Sequence, residues 1–218
     1  VGGRSRIRKE QCQYSWDWGP RFVTCGVWRP LRLEATSANR LENVRVHQVH
    51  RPDGSVTLQL HPALQRAEPA ARLRATCTFG GKDVATATGS PEALSLQIAR
   101  PALWWPAGQG DQPLYSVRVE LLDPAGAVLD QWERRIGLRQ IELVREKDAA
   151  GESFFFKVNG RPVFAKGANW IPDHSFVNEC TRESYTDRLR SATEAHMNMR
   201  RVWGGCIYEH DIFYELCD

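Results

Sequence analysis

The middle of the chain, from about residue 41 to residue 141, carries the period-two alternation of apolar and polar side chains that marks half-buried strands. The alternation is clearest at Val56, Leu58 and Leu60, directly after the turn sequence Pro52-Asp53-Gly54. Further strands are predicted at residues 44–49, 73–79, 93–98, 115–121 and 132–136. Short strands between Gly, Pro and Asp turns predict an antiparallel sandwich of about 100 residues, with an exposed loop at residues 62–71.

The first 35 residues predict two strands on either side of a tryptophan-rich turn. The strands are expected at residues 7–14 and 26–34, and Leu31 and Leu33 alternate with charged neighbours. The turn between them is Trp16-Asp17-Trp18-Gly19-Pro20.

The pattern after residue 141 changes to strands that alternate with helices. Residues 154–158 predict a strand that ends at Asn159-Gly160, a sequence suited to a type I′ hairpin turn. Then come a strand at residues 162–170, a helix at 184–197, a strand at 199–203 and a helix at 208–216.

The longer of these two helices has an N-terminal signal and a predicted apolar face. Ser184 and Asp187 have the spacing of a capping box. The residues that recur at helical spacing on one face are Tyr185, Leu189, Ala192, His196 and Met199.

Strands alternating with helices predict parallel βαβ units. An eight-fold β/α barrel needs roughly 250 residues, and this segment would supply about two of its eight units. We therefore expect the chain to be a piece of a longer protein.

Composition and charge are those of an ordinary globular protein, and they narrow the range of partners. Hydrophobic residues make up 42% and charged residues 25% of the 218 residues, and the net charge is +3. The basic residues are spread along the chain, without the basic stripe or reader motif expected of a nucleic-acid-binding protein. The chain contains no run of about 18 apolar residues, so no membrane span is predicted. The first residues lack the apolar core of a targeting segment.

The six cysteines and six histidines show no spacing typical of a metal or redox site. The cysteines form no C-x-x-C pair and no cluster with histidine. They are sparse for a disulfide scaffold, so most are expected to be small buried or half-buried side chains. His174, His196 and His210 are interpreted as surface or packing residues. We expect neither a metal nor a cofactor.

The segment Trp16-Asp17-Trp18-Gly19-Pro20 is the first candidate for chemistry. Two indoles that flank a carboxylate suit a sugar, because its CH faces stack on aromatic rings while the carboxylate accepts hydrogen bonds from hydroxyl groups. The alternative interpretation is a β-turn in which Asp17 bonds its own backbone and both tryptophans belong to the core.

Two further candidates lie at the ends of predicted βα strands. Gly167-Ala168-Asn169-Trp170-Ile171-Pro172 follows a predicted strand at residues 163–166, where Asn169 could bind a hydroxyl group. Arg201 and Trp203 end the next strand, and an arginine there can hold a carboxylate with two hydrogen bonds. The alternatives are a loop with a buried Trp170, and a structural ion pair at Arg201.

Segments along essentially the whole chain resemble the β-mannosidases of glycoside hydrolase family 2. They are residues 8–12 with 15–20; residues 103–106 with Gly108, Gly110, Gln112, Leu114 and Tyr115; residues 166–172; and residues 201–205 with 207–209. The resemblance implies a multidomain fold that combines β and α/β parts. Its parts would be the last strands of a jelly-roll β-sandwich at residues 1–35, an immunoglobulin-like β-sandwich at 36–141, and the first two units of the catalytic β/α (TIM) barrel at 142–218.

The resemblance also implies hydrolysis of terminal β-linked mannose with retention, in the breakdown of glycoprotein glycans. Such a reaction needs two carboxyl groups about 5 Å apart. In the family both are glutamates on later barrel strands, so no catalytic residue is expected in this chain, which alone should be inactive. The implied partner is a β-mannoside oligosaccharide, and the implied setting is a lysosomal monomer.

Carried over by position, the substrate-binding residues would be Trp16, Asp17, Trp18, Asn169 and Trp203. Arg201 would support the site. Two residues depart from the family pattern, Arg200 in a strand expected to be buried and Cys206 where the family has a third glycine. A β-carbon at Cys206 would strain the loop if that position needs a positive φ.

Two other classes of function remain open. One is a non-catalytic carbohydrate-binding or scaffold module built on the tryptophan-rich turn. The other is a different family 2 glycosidase, such as a β-galactosidase or a β-glucuronidase, which the Trp-Asp-Trp-Gly-Pro segment argues against.

Overall fold

A computed structural model describes residue 7 and residues 9–36, 38–66 and 70–218. Its backbone contacts divide the chain into two compact units. The sandwich unit comprises Glu34–Trp105 and Gln109–Val163. The α/β unit comprises the residues up to Leu33, Pro106–Gly108 and Phe164–Asp218. The predicted division into three domains, at residues 35/36 and 141/142, is not tested by this partition and stays a prediction.

The first part of the sandwich unit consists of antiparallel strands in two sheets. In chain order, its described strands are β1 (Leu41–His50), β2 (Val56–Leu64), β3 (Arg72–Phe79), β4 (Lys82–Gly89), β5 (Ser95–Ile98), β6 (Leu114–Leu122) and β7 (Val128–Gly137). One sheet has the order β1-β2-β5 and the other has the order β4-β3-β6-β7. The two sheets share one apolar core, in which Leu58, Leu73, Val117 and Leu121 are almost completely buried.

Most of the strands of this sandwich lie where the alternation predicted them. Strand β4 was not predicted, because its central residues are Ala and Thr and five of its eight residues are exposed. The predicted loop at residues 62–71 is partly wrong, since β2 continues to Leu64; residues 67–69 of that loop lie outside the described residues. The turn at Gly80-Gly81 has φ values of +56° and +76°, which glycine adopts without strain.

A separate antiparallel sheet of three strands completes the sandwich unit. It consists of β8 (Ile141–Val144), β9 (Phe155–Val158) and β10 (Arg161–Val163), in the order β10-β9-β8. Strands β9 and β10 are joined by Asn159 and Gly160, whose φ values of +48° and +77° confirm the predicted type I′ turn.

The α/β unit contains two parallel strands joined by a helix. Its elements are β11 (Gly167–Trp170), α1 (Arg182–Glu194), β12 (Met199–Val202) and α2 (Asp211–Cys217). The strands pair in parallel with Asn169 opposite Arg201. The helices cover the pair through a core of Trp170, Tyr185 and Phe213. This is one βαβ crossover, and its membership of a complete barrel stays a prediction.

Three local predictions in the α/β unit are corrected. The predicted strand at residues 162–170 is two strands, and Gly167–Trp170 is itself β11 rather than a loop after a strand. The capping box consists of Thr181 and Ser184, because Thr181 is the residue that precedes α1. The helix ends at Glu194, so His196, with a φ of +57°, and Met199 do not belong to its apolar face.

The predicted N-terminal strands are also wrong for the described residues. Residues 11–13 form a 3₁₀ turn, and a single antiparallel bridge joins Tyr14 to Arg21. Residues 26–34 form no strand and bend at residues 26 and 29, and Leu31 and Leu33 are 88% and 99% exposed. No described strand lies beside this segment, so its alternating pattern has no sheet to join. Arg8 lies outside the described residues.

Candidate functional site

The tryptophan-rich turn is a tight backbone loop with exposed side chains at its tip. The amide of Trp16 donates to the carbonyl oxygen of Gly19 at 3.2 Å, and the amide of Gly19 donates to the carbonyl oxygen of Trp16 at 3.3 Å. Asp17 and Trp18 therefore form the tip. Trp16 and Trp18 remain 41% and 47% exposed, and Asp17 is exposed, so the interpretation of these indoles as core residues is wrong.

Both indoles of this turn contact Trp203, which follows β12. The ring of Trp203 lies 4.9 Å from that of Trp16 and 6.1 Å from that of Trp18, with interplanar angles of 73° and 71°. Edge-to-face contacts of this kind are favoured by the ring quadrupoles. Two candidate segments that are far apart in the sequence are thus brought together by the fold. The group of Trp16, Trp18 and Trp203 is called here the indole cluster.

The backbone after β12 leaves room for the Trp203 ring only because Gly205 lacks a side chain. A β-carbon on Gly205 would lie 2.3 Å from a carbon of that ring, whereas a β-carbon on Gly204 would meet nothing within 4 Å. Gly205 therefore has a packing role that its neighbour does not share.

Asn169 and Arg201 form the second group of predicted site residues. Nη1 of Arg201 donates to Oδ1 of Asn169 at 2.9 Å, and both side chains are exposed. The parallel register makes these residues direct neighbours. Asn169 lies within β11 rather than in the predicted loop. Arg201 holds an amide rather than a carboxylate, so it orients Asn169.

Arg200, one of the two departures from the family pattern, faces the helices. Its guanidinium carbon lies 6.0 Å from the centre of the Trp170 ring. Its Nε atom is buried without a hydrogen-bond partner in the described structure. A buried nitrogen without a partner lowers stability, and it follows from placing an arginine in a strand that the sequence predicted to be buried.

The loop at Cys206, the second departure, is not strained. Cys206 is not among the described residues with positive φ, so a β-carbon is accommodated there. Its amide donates to the carbonyl oxygen of Trp203 at 3.2 Å, which closes a turn.

Sequence reasoning missed a buried carboxylate beneath the strand pair. Glu209 is 3% exposed and accepts hydrogen bonds from Nε1 of Trp170 at 2.8 Å and from the hydroxyl of Tyr185 at 2.6 Å. Burial and the bond to this carboxylate raise the pKa of Tyr185, so the phenol keeps its proton. The sequence signal was weak. A buried indole and a buried phenol need acceptors, but the sequence pattern did not identify Glu209 as that acceptor.

A second buried acid lies before the tryptophan-rich turn. Burial raises the pKa of Glu10, and the nearby charge of Glu209 adds to the effect. The thiol of Cys12 points to Oε2 of Glu10 at 3.7 Å.

The same segment also contacts the loop after β11. Nε2 of Gln13 donates to the carbonyl oxygen of Ser175 at 2.7 Å. The adjoining cavity of about 30 Å³ has room for water but not for a sugar ring.

The described residues hold no cluster of His, Cys, Asp and Glu arranged to bind a metal ion. The ring of His174 lies within hydrogen-bond distance of the carbonyl oxygen of Phe176. The ring of His210 lies within hydrogen-bond distance of the carbonyl oxygen of Val177 and contacts the Trp28 ring. None of the described helices has the length and apolar character needed to cross a membrane.

Two sequence models of one enzyme family match the chain. Residues 39–139 match glycosyl hydrolases family 2, and residues 2–29 match the galactose-binding domain-like model of glycosyl hydrolase 2. The second match includes the tryptophan-rich turn, and the first covers the two-sheet sandwich.

Individual proteins extend the likeness to nearly the full chain. β-Mannosidase B of Thermothelomyces thermophilus is 37% identical over 99% of this chain, which spans 26% of that protein. A β-D-mannosidase structure from Dictyoglomus thermophilum has a TM-score of 0.86 and 42% identity, covering 96% of this chain and 27% of its own. A β-glucuronidase structure from Ruminococcus gnavus has a TM-score of 0.66 but only 18% identity, over 83% of this chain and 28% of its own.

The chain thus spans about a quarter of the length of the relatives it matches. Both family models name the same family, and the relatives with more than 30% identity carry that likeness through the α/β unit. The chain belongs to family 2 of the glycosyl hydrolases.

Proposed function

We propose that the chain is the substrate-recognising part of a retaining exo-β-mannosidase that removes terminal β-D-mannose from the non-reducing end of oligosaccharides. The observation that carries this proposal is the indole cluster beside an exposed Asp17. Names of relatives at 37% and 42% identity support mannose as the sugar. The β-glucuronidase likeness, at 18% identity, supports only the shared fold.

The geometry suits a pyranose ring. The CH groups of a sugar are attracted to the electron-rich faces of aromatic rings, and half-exposed Trp16 and Trp18 offer ring surface to solvent. Asp17, between them, is an acceptor for hydroxyl hydrogens. Recognition at this turn therefore combines apolar stacking with charge-assisted hydrogen bonds.

Asn169 would add a donor from the strand pair. Arg201 occupies its Oδ1, which leaves the amide NH₂ group to donate to a sugar hydroxyl. A guanidinium that fixes the amide in this way reduces the entropy lost when a ligand binds. Arg201 is thus proposed as a support residue and Asn169 as a substrate contact.

The chemical step needs a proton donor and a nucleophile, two carboxyl groups about 5–5.5 Å apart in a retaining enzyme. We propose that both belong to parts of the complete protein outside these 218 residues, and that the isolated chain binds without turnover. The proposal includes a monomeric enzyme of glycan breakdown in a lysosomal setting, and that localisation stays a prediction.

The complete gene product that contains this chain provides the test. Its initial rates on p-nitrophenyl β-mannoside, β-galactoside and β-glucuronide should favour the mannoside by at least about two orders of magnitude in kcat/KM, as expected when a site that hydrogen-bonds one arrangement of sugar hydroxyls selects its substrate. Faster turnover of either other glycoside would contradict the mannosidase proposal and favour another family 2 activity.

A non-catalytic carbohydrate-binding module is the second candidate, and the exposed indoles are its supporting observation. It predicts that mannose quenches tryptophan fluorescence of the complete protein while none of the three glycosides is hydrolysed. Turnover of any of them excludes this candidate.

A further inference from the structure

Two cysteines from opposite ends of the chain meet in the α/β unit. The amide of Cys12 donates a 3.0 Å hydrogen bond to the carbonyl oxygen of Gly205, in the peptide group that Gly205 shares with Cys206. Burial raises the pKa of Cys206 and the neighbouring Cys12 raises it further, so the two side chains lie close to each other. A direct backbone bond between two segments brings their Cα atoms towards the separation of roughly 4.4–6.8 Å that a disulfide spans.

The other cysteines have different surroundings. Cys77 is buried in the sandwich core, and Cys180 packs against the core of the α/β unit. Cys25 and Cys217 are exposed. These four serve as internal references for the reactivity of the pair.

We propose that Cys12 and Cys206 are a redox pair, whose disulfide fastens the segment that leads into the tryptophan-rich turn to the loop that follows Trp203. Trp16 lies four residues after Cys12, and Trp203 lies three residues before Cys206. The link would therefore tie together the two backbone segments that carry the indole cluster.

The oxidant is a small-molecule disulfide such as oxidised glutathione. The thiolate of one cysteine attacks a sulfur of this disulfide, which forms a mixed disulfide and releases one glutathione thiolate. The second cysteine thiolate displaces the remaining glutathione and forms the Sγ–Sγ bond. The two electrons lost by the protein reduce the oxidant to two thiols, which also take up the two protein protons.

Cys12 is 7% exposed and Cys206 is half-buried, so exchange is slow and needs long incubation. The 218-residue chain, kept folded, is equilibrated with oxidised and reduced glutathione and digested without reduction. Mass spectrometry should find one peptide pair that joins Cys12 to Cys206, lighter by about 2 Da than the two thiol peptides together. Dithiothreitol should separate the pair.

Matched variants locate the bond. Cys206→Gly should abolish the linked peptide, whereas Cys25→Ser should retain it. The oxidised wild-type chain should melt several degrees above the reduced chain, and this difference should vanish in Cys206→Gly. If Cys206→Gly does not fold, the linked peptide of the wild-type chain alone decides the matter.

Three results would overturn the proposal. Cys12 and Cys206 could stay free, or carry only glutathione, in a redox buffer that fully modifies Cys25. Either cysteine could pair mainly with one of the other four. The linked peptide could form only after denaturant has unfolded the chain, in which case the folded geometry does not direct it.

Discussion

At the scale of single residues, Asp17 and two indoles are exposed at one tight turn, and both indoles contact Trp203. The sequence indicated Trp16, Asp17 and Trp18 as a sugar site because stacking and accepting groups are properties of the side chains alone, and that role stays a prediction. Their contact with Trp203 depends on the tertiary fold. Glu209 was missed for the same reason, because its two donors come from β11 and α1.

The buried carboxylate of Glu209 gives the first prediction. Tyr185→Phe removes one of its two donors among the described residues and leaves Oε2 without a hydrogen-bond partner there, which should lower the free energy of unfolding of the α/β unit by about 1–3 kcal/mol. Tyr214→Phe removes a hydroxyl from a residue that is 39% exposed and should change it by less than about 0.5 kcal/mol. Urea denaturation of both variants makes the comparison. Equal effects would contradict a structural role for the Tyr185–Glu209 bond.

Glu10 makes stability depend on pH. Burial raises its pKa above 4.5 in the folded chain, so the folded state holds this proton more tightly than the unfolded state does. The stability that this tighter proton binding contributes to the folded state is therefore fully present below pH 4.5, and it is lost as the pH rises through the folded-state pKa. Relative to Glu10→Gln, the wild-type chain should lose stability across that interval. Thermal denaturation between pH 4 and 8 tests this, and a constant or growing wild-type advantage would contradict it.

At the scale of elements, the period-two pattern succeeded where strands bury one face and failed where they do not. Strands β2 and β6 alternate between core and solvent, and they were predicted. Strand β4 buries little and was missed, while residues 26–34 alternate without any described neighbour. The boundary between strand and loop at Gly167 was also missed, because it is fixed by pairing with β12 rather than by local sequence.

Pairing of β11 with β12 depends on Gly167. A β-carbon there would lie 2.0 Å from the carbonyl oxygen of Met199, so Gly167→Ala must push the two strands apart. We expect a loss of about 1–3 kcal/mol in unfolding free energy, typical of overpacking. Gly204→Ala, where a β-carbon meets nothing within 4 Å, should be near neutral. Chemical denaturation compares them, and a neutral Gly167→Ala would contradict the described strand pairing.

At the scale of the whole molecule, the two units differ in how much apolar surface they bury. The sandwich core joins residues of both sheets, whereas the core of the α/β unit centres on Trp170, Tyr185 and Phe213. The described parallel pair has two open edges, and exposed strand edges are poorly protected. The sequence pattern indicated only that the segment after residue 141 supplies about two βα units, and the extent of each core required the fold.

Hydrogen exchange should show this difference directly. Amides of β3 and β6, which are paired on both sides, should exchange at least about tenfold more slowly than those of β11 and β12 in the 218-residue chain, because local opening costs less where the core is small. Mass-spectrometric exchange resolves these segments. Equal protection of the two units would contradict the expectation.

The central claim is that the tryptophan-rich turn binds the sugar of a β-mannosidase, and Asp17→Ala in the complete gene product tests it most directly. Loss of a charged acceptor for sugar hydroxyls should lower kcat/KM on p-nitrophenyl β-mannoside by roughly ten- to several-hundred-fold. Asp17 is exposed, so the melting temperature should change little, and Asp187→Ala, on an exposed position of α1, should change neither quantity. A melting temperature lowered by many degrees, with kcat/KM of the folded fraction unchanged, would show that Asp17 only shapes its turn and would contradict the claim.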